Sequence, residues 1–402
     1  METKLFSGDL RKAAEIVRAG GLVAVPTETV YGLAGNGLDD AAVQEIYRVK
    51  GRPEVKPLSL MVPGVEAMER YCEQVPETAR LLAERFWPGP LTIVLKAKPT
   101  VPAIVRAGGE TVGLRCPDHD KTLELLRLAG VPLAAPSANP SGSPSPKTAE
   151  QVLAYFDGEI DAVIDGGPCG IGTESTLIDM SRTPYRILRQ GALQAEEIAA
   201  VLASEMTVIG ITGGSGSGKT TALKELEKNG ALIIDCDAVY HELLKSNADM
   251  LREIEEQFPG VVTDGELDRK ALGKVVFADE RKLQALNTIT HRYVGMETQR
   301  RLQDWAMAGG TLAAIDAIAL IGSGLSERCD AVVGILAGEE TRLSRIMERD
   351  AISRDYALLR IKAQKPDSFY EENCTHIVRN DTNREQFNAE IKKIMQEVTG
   401  NG

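Results

Sequence analysis

The chain contains the stretch Gly213-Gly214-Ser215-Gly216-Ser217-Gly218-Lys219-Thr220, which matches the phosphate-binding pattern G-x-x-x-x-G-K-[ST] at every constrained position. The apolar run Thr207–Thr212 precedes it and predicts a buried strand, and residues 221–226 follow with helical spacing. Glycines let backbone N–H groups turn toward a phosphate, Lys219 adds a positive charge, and the Thr220 hydroxyl can hold Mg2+. The stretch therefore predicts a strand, a phosphate-binding loop and a helix, with a chance glycine-rich turn as the alternative.

About two hundred residues precede this loop, enough for a separate domain. With 402 residues, 43% of them apolar and 26% charged, the chain has the composition of a globular protein with large cores. We predict two α/β domains, residues 1–205 and 206–402. Apolar residues in segment 191–205 have helical spacing and predict a short helix that joins the domains closely.

Charge and cysteine usage narrow the class of protein. The net charge of −12 argues against a generally basic nucleic-acid binder. No segment has the apolar length of a membrane span, and the first residues do not have the pattern of a signal peptide. Six cysteines without a C-x-x-C pair and four histidines without a ligand cluster favour reduced thiols over a disulfide or zinc framework. These features predict a cytoplasmic enzyme without a membrane partner.

Three cations, Lys50, Arg52 and Lys56, lie within seven residues in the first half. They follow a predicted helix and stand among prolines. Such a stretch can direct its cations at one polyphosphate, although a solvated basic loop has the same composition.

Polar residues also stand where two predicted strands end. Arg115 follows one apolar run, and Ser137 and Asn139 follow another. Further polar residues occur in segments 165–176 and 189–191. Their distribution predicts a ligand site at one edge of a sheet.

Taken in order, these stretches resemble the YrdC-like threonylcarbamoyl-adenylate synthases over residues 8–202. The family's K-x-R and S-x-N signatures stand as Lys50/Arg52 and Ser137/Asn139, together with P-T-E-T-V-Y-G-L, K-P-L, R-C-P and G-x-x-S-T. The resemblance implies an open, twisted α/β sheet. It also implies synthesis of threonylcarbamoyl-AMP from L-threonine, bicarbonate and ATP, which releases pyrophosphate and supplies a group for tRNA modification.

The same resemblance implies roles for individual residues. Those that would contact threonine are Thr29, Arg115 and Ser175. Those that would hold ATP are Arg52, Lys56, Thr111, Ser137, Asn139, Ser145 and Arg189. Lys50 and Arg52 are the catalytic candidates, acting by positioning and electrostatics because this chemistry needs fixed cations around a bent polyphosphate. Met61 stands where many relatives have a histidine.

The second half resembles dephospho-coenzyme A kinases across residues 206–397. Besides the phosphate-binding loop, the resemblance rests on Asp235 and Asp237 at the end of a predicted strand, on Thr290-His291, on segment 345–350 and on Ala363-Gln364. It implies a parallel-sheet core, a helical substrate region near residues 240–310 and a lid near 342–370. The implied reaction transfers phosphate from Mg-ATP to the ribose 3′-hydroxyl of dephospho-CoA.

Phosphoryl-transfer chemistry gives these residues their expected roles. Lys219 and Asp237 are the catalytic candidates, with Asp237 orienting or deprotonating the acceptor hydroxyl, while Asp235 is expected to be structural or to lie behind the metal. Thr220 is the Mg2+ ligand. The predicted ATP contacts are Gly214, Ser215, Gly216, Ser217, Gly218, Lys219, Thr220, Arg345 and Arg349.

Gly322 departs from the kinase pattern because relatives usually have a glutamate at this position. Two interpretations therefore stay open: a bifunctional enzyme with two ATP sites, or a synthase fused to an ATP-binding module that senses or regulates. Gly322→Glu is expected to raise kinase activity under the first. A third interpretation makes the N-terminal half an RNA-binding module, and tRNA or tRNA-modification proteins are candidate partners, but the acidic balance favours catalysis.

Overall fold

The computed structural model describes residues 2–381 and 383–400. The chain divides into two compact units, Met1–Leu202 with Met307–Gly309 and Ala203–Ala306 with Gly310–Gly402. The functional domains 1–205 and 206–402 stay a prediction, and their outer ends, residues 1 and 402, lie outside the described residues.

The N-terminal unit is built on a mixed ten-stranded sheet with the strand order β1-β8-β2-β3-β7-β4-β6-β5-β9-β10. Its strands are Lys4–Phe6 (β1), Val23–Val25 (β2), Gly32–Asn36 (β3), Ser59–Met61 (β4), Leu91–Lys96 (β5), Thr111–Arg115 (β6), Leu133–Ala134 (β7), Ala162–Ile164 (β8), Thr176–Asp179 (β9) and Arg186–Arg189 (β10). β4 pairs with β6 in parallel, and β5 pairs with β9 in parallel. Long-range pairing therefore brings segments near residues 60, 115 and 175 to one part of the sheet.

Helices accompany this sheet, and their caps fix where functional loops begin. The helices are Arg11–Arg18 (α1), Asp40–Lys50 (α2), Ala67–Tyr71 (α3), Glu77–Phe86 (α4), Asp120–Ala129 (α5), Ala149–Phe156 (α6) and Ala195–Ser204 (α7). The Asp39 carboxylate accepts from Ala41 N at 2.9 Å and starts α2. Gly51, with φ of 58°, ends α2 in the left-handed conformation. This cap sets the positions of the adjacent residues Lys50 and Arg52.

The C-terminal unit has a five-stranded sheet in the order β12-β15-β11-β16-β17, and every pairing in it is parallel. Its strands are Thr207–Thr212 (β11), Leu232–Asp235 (β12), Leu312–Asp316 (β15), Ala331–Leu336 (β16) and His376–Arg379 (β17), and a separate hairpin comprises Val262–Thr263 (β13) and Glu266–Leu267 (β14). Parallel strands end at one edge of their sheet, so the carboxyl ends of β11, β12 and β15 meet there.

The helices of this unit are Lys219–Lys228 (α8), Cys236–Ser246 (α9), Ala248–Gln257 (α10), Arg269–Val276 (α11), Glu280–Met307 (α12), Glu339–Asp350 (α13), Arg354–Lys362 (α14), Asp367–Asn373 (α15) and Arg384–Val398 (α16). Buried side chains of α8 and α16, including Leu226 and Phe387, pack with Ile209 and Ile335 of the sheet in one apolar core. The predicted fold class, a mixed α/β N-terminal sheet followed by a parallel C-terminal sheet, is confirmed. Among the described residues, no helix has the length and apolar character needed to cross a bilayer.

Candidate functional site

A cavity of about 190 Å³ lies in the N-terminal unit where β4, β6 and the segment before β9 come together. Five of the predicted site residues line it: Arg52, Arg115, Ser137, Ser175 and Arg189. These residues are distant in sequence, so the sheet pairing brings them to one place. Three guanidinium groups facing one cavity make it suited to a polyanionic ligand.

Arg115 is the most buried of these cations, with 7% of its surface exposed. Its Nη2 donates to Glu28 Oε1 at 2.7 Å and to Thr29 Oγ1 at 2.8 Å. The Glu28 carboxylate compensates the buried charge, and the Thr29 hydroxyl is engaged with the guanidinium. Thr29 is not among the residues that line the cavity, so this geometry places it behind Arg115.

Arg189 and Ser175 form a second polar group with Thr92. Arg189 Nη2 donates to Ser175 O at 2.9 Å and to Ser175 Oγ at 3.1 Å. The Ser175 and Thr92 hydroxyls are 2.8 Å apart. Partial burial lowers the pKa of the Arg189 guanidinium, and nearby Arg115 and Arg52 act in the same direction. An anionic ligand would relieve the mutual repulsion of these cations.

The two residues of the K-x-R signature have different surroundings. Arg52 lines the cavity, and its Nη2 donates to Pro57 O at 3.1 Å. Lys50 is 3% exposed, and its ammonium donates to the carbonyls of Ser137 and, at 2.5 Å, of Asn139. Burial lowers the pKa of Lys50 to about 7, with Arg52 contributing. Lys50 thus ties the S-x-N segment to the end of α2 and is not among the lining residues.

The remaining predicted residues lie outside the cavity wall. The Asn139 amide donates to Ser143 O at 2.7 Å, and its buried Oδ1 has no partner among the described residues. Ser145 donates to Glu174 Oε1 at 2.6 Å. Lys56 is exposed, and Thr111 is the first residue of β6, at the opposite end of that strand from Arg115. Their roles as ATP contacts stay predictions.

Sequence reasoning gave no role to several residues that the structure places at the cavity. Glu174, Thr92 and Met61 line it, and Glu28 supports Arg115. Glu174 and Glu28 lie inside motifs that pointed to the site, so adjacency was a usable signal. No pattern in the sequence singled out Thr92, because only the pairing of β5 with β9 brings it to Ser175.

The phosphate-binding loop of the C-terminal unit connects β11 to α8, as predicted. Gly213, Gly216 and Gly218 have φ of 139°, 77° and 111°, which L side chains rarely adopt. A Cβ at Gly213 would collide with the Ile335 carbonyl. The glycine pattern is therefore required by the backbone path, and the chance-turn alternative does not describe this loop.

Lys219 lies at the start of α8 and folds back over the loop. Its Nζ donates to Gly213 O at 2.8 Å, and burial lowers the pKa of this ammonium. The Asp316 and Asp237 carboxylates act in the opposite direction on that pKa. Thr220, the next residue, is exposed at the N-terminus of α8. The cation and the hydroxyl are placed where a phosphate chain could reach both.

Carboxylates stand at the carboxyl ends of two neighbouring strands, β12 and β15. Asp316 ends β15 in register with Asp235, and burial raises the pKa of Asp316 to about 6. Asp235 Oδ1 accepts from Asp237 N at 2.9 Å and from Ala238 N at 3.0 Å, so it caps α9. The predicted strand through Asp237 is therefore wrong at its end: β12 stops at Asp235 because this cap starts a helix, and Asp237 lies in the first turn of α9. Asp316 had no assigned role in the sequence.

The two predicted lid arginines lie on α13 but contact different groups. Arg345 Nη1 donates to Gly216 O at 3.1 Å and to Ser217 O at 3.2 Å, so it supports the loop through its carbonyls. Arg349 donates to its neighbour Asp350 at 2.7 Å. Ser217 Oγ is buried and has no partner among the described residues.

Arg342 and Gln364 hold the loop at Ser215, a role that the sequence did not predict for either residue. Gln364 Oε1 accepts from Ser215 N at 2.9 Å, and Gln364 Nε2 donates to Ser215 Oγ at 2.7 Å. Arg342 donates to Ser215 O at 3.0 Å and to Gln364 Oε1 at 2.6 Å. Ser215 is thus bound at its N–H, its carbonyl and its hydroxyl by the segment that includes α13 and α14.

Gly322 lies in the turn after β15 and has φ of 90°. A glutamate in this conformation would be strained by about 1 kcal/mol or more. The expected increase in kinase activity from Gly322→Glu therefore does not follow for this backbone, because the substitution would change the conformation of the turn as well as add a carboxylate.

Within the part of the chain that the structure describes, no group of three or more His, Cys, Asp or Glu side chains is arranged to hold a metal ion. The exposed Thr220 hydroxyl and the Asp316 carboxylate are oxygen donors, the class that Mg2+ prefers, and substrate phosphates would supply further ones. The residues present therefore fit a nucleotide-bound Mg2+ better than a site made of protein ligands alone.

Two family models match different parts of the chain. Residues 15–191 match the Sua5/YciO/YrdC family model, described as telomere recombination, and residues 207–386 match the dephospho-CoA kinase family model. Threonylcarbamoyl-AMP synthase of Pyrococcus abyssi is 48% identical over 193 residues, which are 48% of this chain and 57% of that protein. A putative threonylcarbamoyl-AMP synthase of Mycobacterium tuberculosis is 36% identical over 190 residues, covering 47% of this chain and 87% of that protein.

Among solved structures, P. abyssi Sua5 complexed with L-threonine aligns with 84% of this chain and 100% of that chain, at 29% identity and a TM-score of 0.49. The chain spans little more than half the length of the P. abyssi threonylcarbamoyl-AMP synthase and of its Bacillus subtilis counterpart, 57% and 56% respectively.

Proposed function

We propose that this chain, which belongs to the Sua5/YciO/YrdC family through its N-terminal half, is a bifunctional ATP-using enzyme. Its C-terminal half carries a dephospho-CoA kinase-like domain. One half would form threonylcarbamoyl-AMP from L-threonine, bicarbonate and ATP. The other would phosphorylate the 3′-hydroxyl of dephospho-CoA.

The observation that carries the first activity is the convergence of Arg52, Arg115 and Arg189 on one cavity that four hydroxyl side chains also line. In the proposed reaction, a carbamate oxygen attacks the α-phosphorus of ATP and pyrophosphate leaves. Negative charge grows on the leaving group, and guanidinium groups fixed in advance stabilise it without reorganising. Arg115, compensated by Glu28, would instead bind the threonine carboxylate.

Lys50 would act as a positioning residue for this step. Its bonds to the carbonyls of Ser137 and Asn139 hold the S-x-N segment against the end of α2. Ser137 lines the cavity together with Arg52, so this contact helps to hold Ser137 at the cavity wall. The activated threonylcarbamoyl group is proposed to pass to tRNA, with tRNA-modification proteins as candidate partners.

The observation that carries the second activity is the phosphate-binding loop with Lys219, Asp237 and Asp316 around it. Mg2+, held by Thr220 and the phosphates, would neutralise charge on the transferred group. The bond between the γ-phosphorus and ADP breaks, the acceptor's 3′ oxygen forms the new bond, and Asp237 accepts its proton. Partial burial and Asp235 raise the pKa of Asp237, which makes it a better base than an ordinary carboxylate.

The second candidate for the C-terminal half is an ATP-binding module that regulates the synthase. Gly322 favours it, because the turn after β15 lacks the carboxylate usual in kinases and has a backbone that disfavours one.

A direct assay of the purified full chain separates these candidates. Pyrophosphate release that depends on both threonine and bicarbonate tests the first activity. ADP and CoA formed from ATP and dephospho-CoA test the second. Pyrophosphate release without CoA formation, in protein that still binds ATP, would favour the regulatory module.

A further inference from the structure

Helix α9 presents three polar residues on one face. Asp237, His241 and Lys245 are spaced by four residues, and residues with this spacing lie above one another on a helix. At 1.5 Å per residue, His241 lies about 6 Å and Lys245 about 12 Å along the axis from Asp237. This face of α9 therefore begins at Asp237, the proposed base, and extends along the helix away from the phosphate-binding loop.

A cavity of about 700 Å³ lies along this face, and its wall includes His241, Lys245, Glu266 and Arg269. Arg269 is the first residue of α11, and Glu266 belongs to the β13–β14 hairpin. Two cations and one carboxylate leave the cavity positively charged when His241 is neutral. Its wall comes from three separate elements, so it is a concave site and not a row of charges on one helix.

The two cations in this cavity have no ion-pair partner among the described residues. Among the described residues, neither Lys245 nor Arg269 makes a hydrogen bond or an ion pair through its side chain. Other charged side chains of α9 and α10 are paired, by contrast: Glu242 of α9 pairs with Arg301, and Glu253 of α10 pairs with Arg292. Unpaired cations that share a concave site are suited to an anionic ligand.

Electrostatic interaction connects this cavity to the phosphate-binding loop. The pKa of Asp237 is raised mainly by partial burial and by Asp235, while His241 and Lys219 act to lower it. Asp237 therefore lies within electrostatic range of both the cavity residue His241 and the loop cation Lys219. A substrate with a hydroxyl at Asp237 and an anionic group farther along α9 would reach Lys245 and Arg269.

We propose that Lys245 and Arg269 bind the diphosphate of the nucleotide that accepts the phosphoryl group. This inference rests on the proposed kinase function and names the part of the acceptor that the cavity recognises. In dephospho-CoA, the 3′-hydroxyl and the 5′-diphosphate are separated by the width of one ribose. Lys245 lies about 12 Å along the axis of α9 from Asp237, and side chains on a helix tilt toward its N-terminus, which brings the Lys245 ammonium closer to Asp237 than that axial distance. Binding the diphosphate there orients the ribose so that its 3′-hydroxyl faces Asp237.

The test compares steady-state kinetics of the full chain with those of Lys245→Gln, Arg269→Gln and the double variant. Each single change should raise KM for dephospho-CoA about tenfold, as expected for the loss of one charge-assisted hydrogen bond. The double change should raise it about a hundredfold. KM for ATP should stay within about twofold, and so should kcat, because neither cation touches the phosphate-binding loop.

A matched control keeps the change in net charge but leaves the cavity intact. Lys270→Gln/Lys282→Gln removes two cations from α11 and α12 that do not line the cavity. Its KM for dephospho-CoA should equal that of the unmodified chain. A rise in both double variants would show that only the general field matters and would overturn the proposal.

Adenosine as the acceptor tests the contribution of the diphosphate to binding, because adenosine has the 3′-hydroxyl but no phosphate groups. The two cavity variants should phosphorylate adenosine as slowly as the unmodified chain does. An unchanged KM for dephospho-CoA in the double variant would overturn the inference while the kinase function stands. If the unmodified chain forms no CoA, the kinase function fails, and calorimetric binding of dephospho-CoA with ADP present still shows whether Lys245 and Arg269 bind it.

Discussion

At the scale of single residues, the N-terminal cavity depends on cations whose roles differ although their chemistry is the same. Arg115 is compensated by Glu28, whereas Arg52 donates only to backbone carbonyls and keeps its charge available to a ligand. Lys50 does not line the cavity and donates to two carbonyls. Position within the fold, more than charge, therefore separates binding residues from positioning residues.

Arg52→Ala should reduce threonine- and bicarbonate-dependent pyrophosphate release at least a hundredfold, because it removes a fixed cation from the proposed ATP site. The measurement is a coupled pyrophosphate assay at saturating threonine. Arg48→Ala is the control, since Arg48 is exposed on α2 and pairs with Glu45 at 2.6 Å. Equal losses in both variants would show that α2, and not the cavity cation, is responsible.

Asp316 provides a pH-dependent test in the C-terminal unit. Burial raises its pKa to about 6, whereas an unfolded carboxyl has a pKa of about 3.9. Between about pH 4 and pH 6, Asp316 is protonated in the folded state but ionised in the unfolded state. The contribution of Asp316 to the free energy of unfolding therefore falls as the pH rises through this range.

Asp316→Asn should therefore raise the free energy of unfolding by up to about 3 kcal/mol at pH 8, because the pKa shift of about two units is worth about 1.4 kcal/mol per unit. The melting temperature should rise with it. Near pH 4 the variant and the unmodified chain should melt together. Scanning calorimetry at both pH values measures the difference, with the exposed Asp264→Asn as the control. A variant that is less stable at pH 8 would mean that attraction to Lys219 outweighs the burial of Asp316.

At the scale of secondary-structure elements, helix α13 and the segment after α14 hold the phosphate-binding loop from outside. Arg345 binds two loop carbonyls, and Arg342 and Gln364 bind all three polar groups of Ser215. Backbone N–H groups bind phosphate well only when the loop keeps its shape. The predicted lid region therefore also supports the loop.

Gln364→Ala should raise KM for ATP about tenfold in the kinase reaction and change kcat by less than threefold. The physical reason is that the Ser215 N–H and hydroxyl lose their partner, so the loop must be ordered by the nucleotide itself. Glu348→Ala, an exposed change on α13, is the control. A loss confined to kcat would instead indicate that Gln364 acts in the transfer step.

At the scale of the whole molecule, each compact unit contains its own candidate ATP site. The cavity belongs to the N-terminal unit, and the phosphate-binding loop belongs to the C-terminal unit. The residues that build each site come from that unit alone. Two activities on one chain should therefore be separable by single substitutions.

Lys219→Ala should abolish CoA formation, a loss of several orders of magnitude, because it removes the cation at the β- and γ-phosphates. It should leave pyrophosphate release unchanged, whereas Arg52→Ala should do the reverse. Parallel assays of both variants and of their combination measure this separation. Loss of both activities from either single change, in protein whose melting temperature is unaltered, would show that the sites are coupled.

The sequence by itself determined the fold class, the phosphate-binding loop and five residues of the N-terminal cavity. These features depend on local rules: glycines where the backbone needs positive φ, apolar runs that form buried strands, and motifs whose order is kept along the chain. The boundary between β12 and α9 was misplaced because a capping carboxylate such as Asp235 and a residue at the end of a strand look alike in sequence.

Only the tertiary structure decided which polar residues share a site. Thr92 reaches Ser175 through the pairing of β5 with β9, Asp316 reaches Lys219 because β15 lies beside β11, and Gln364 reaches Ser215 across 149 residues. Packing of the segment after β7 against the end of α2 buries Lys50, whose ammonium donates to the carbonyls of Ser137 and Asn139. Contacts between distant segments depend on how sheets and helices pack, and no local pattern in the chain encodes them.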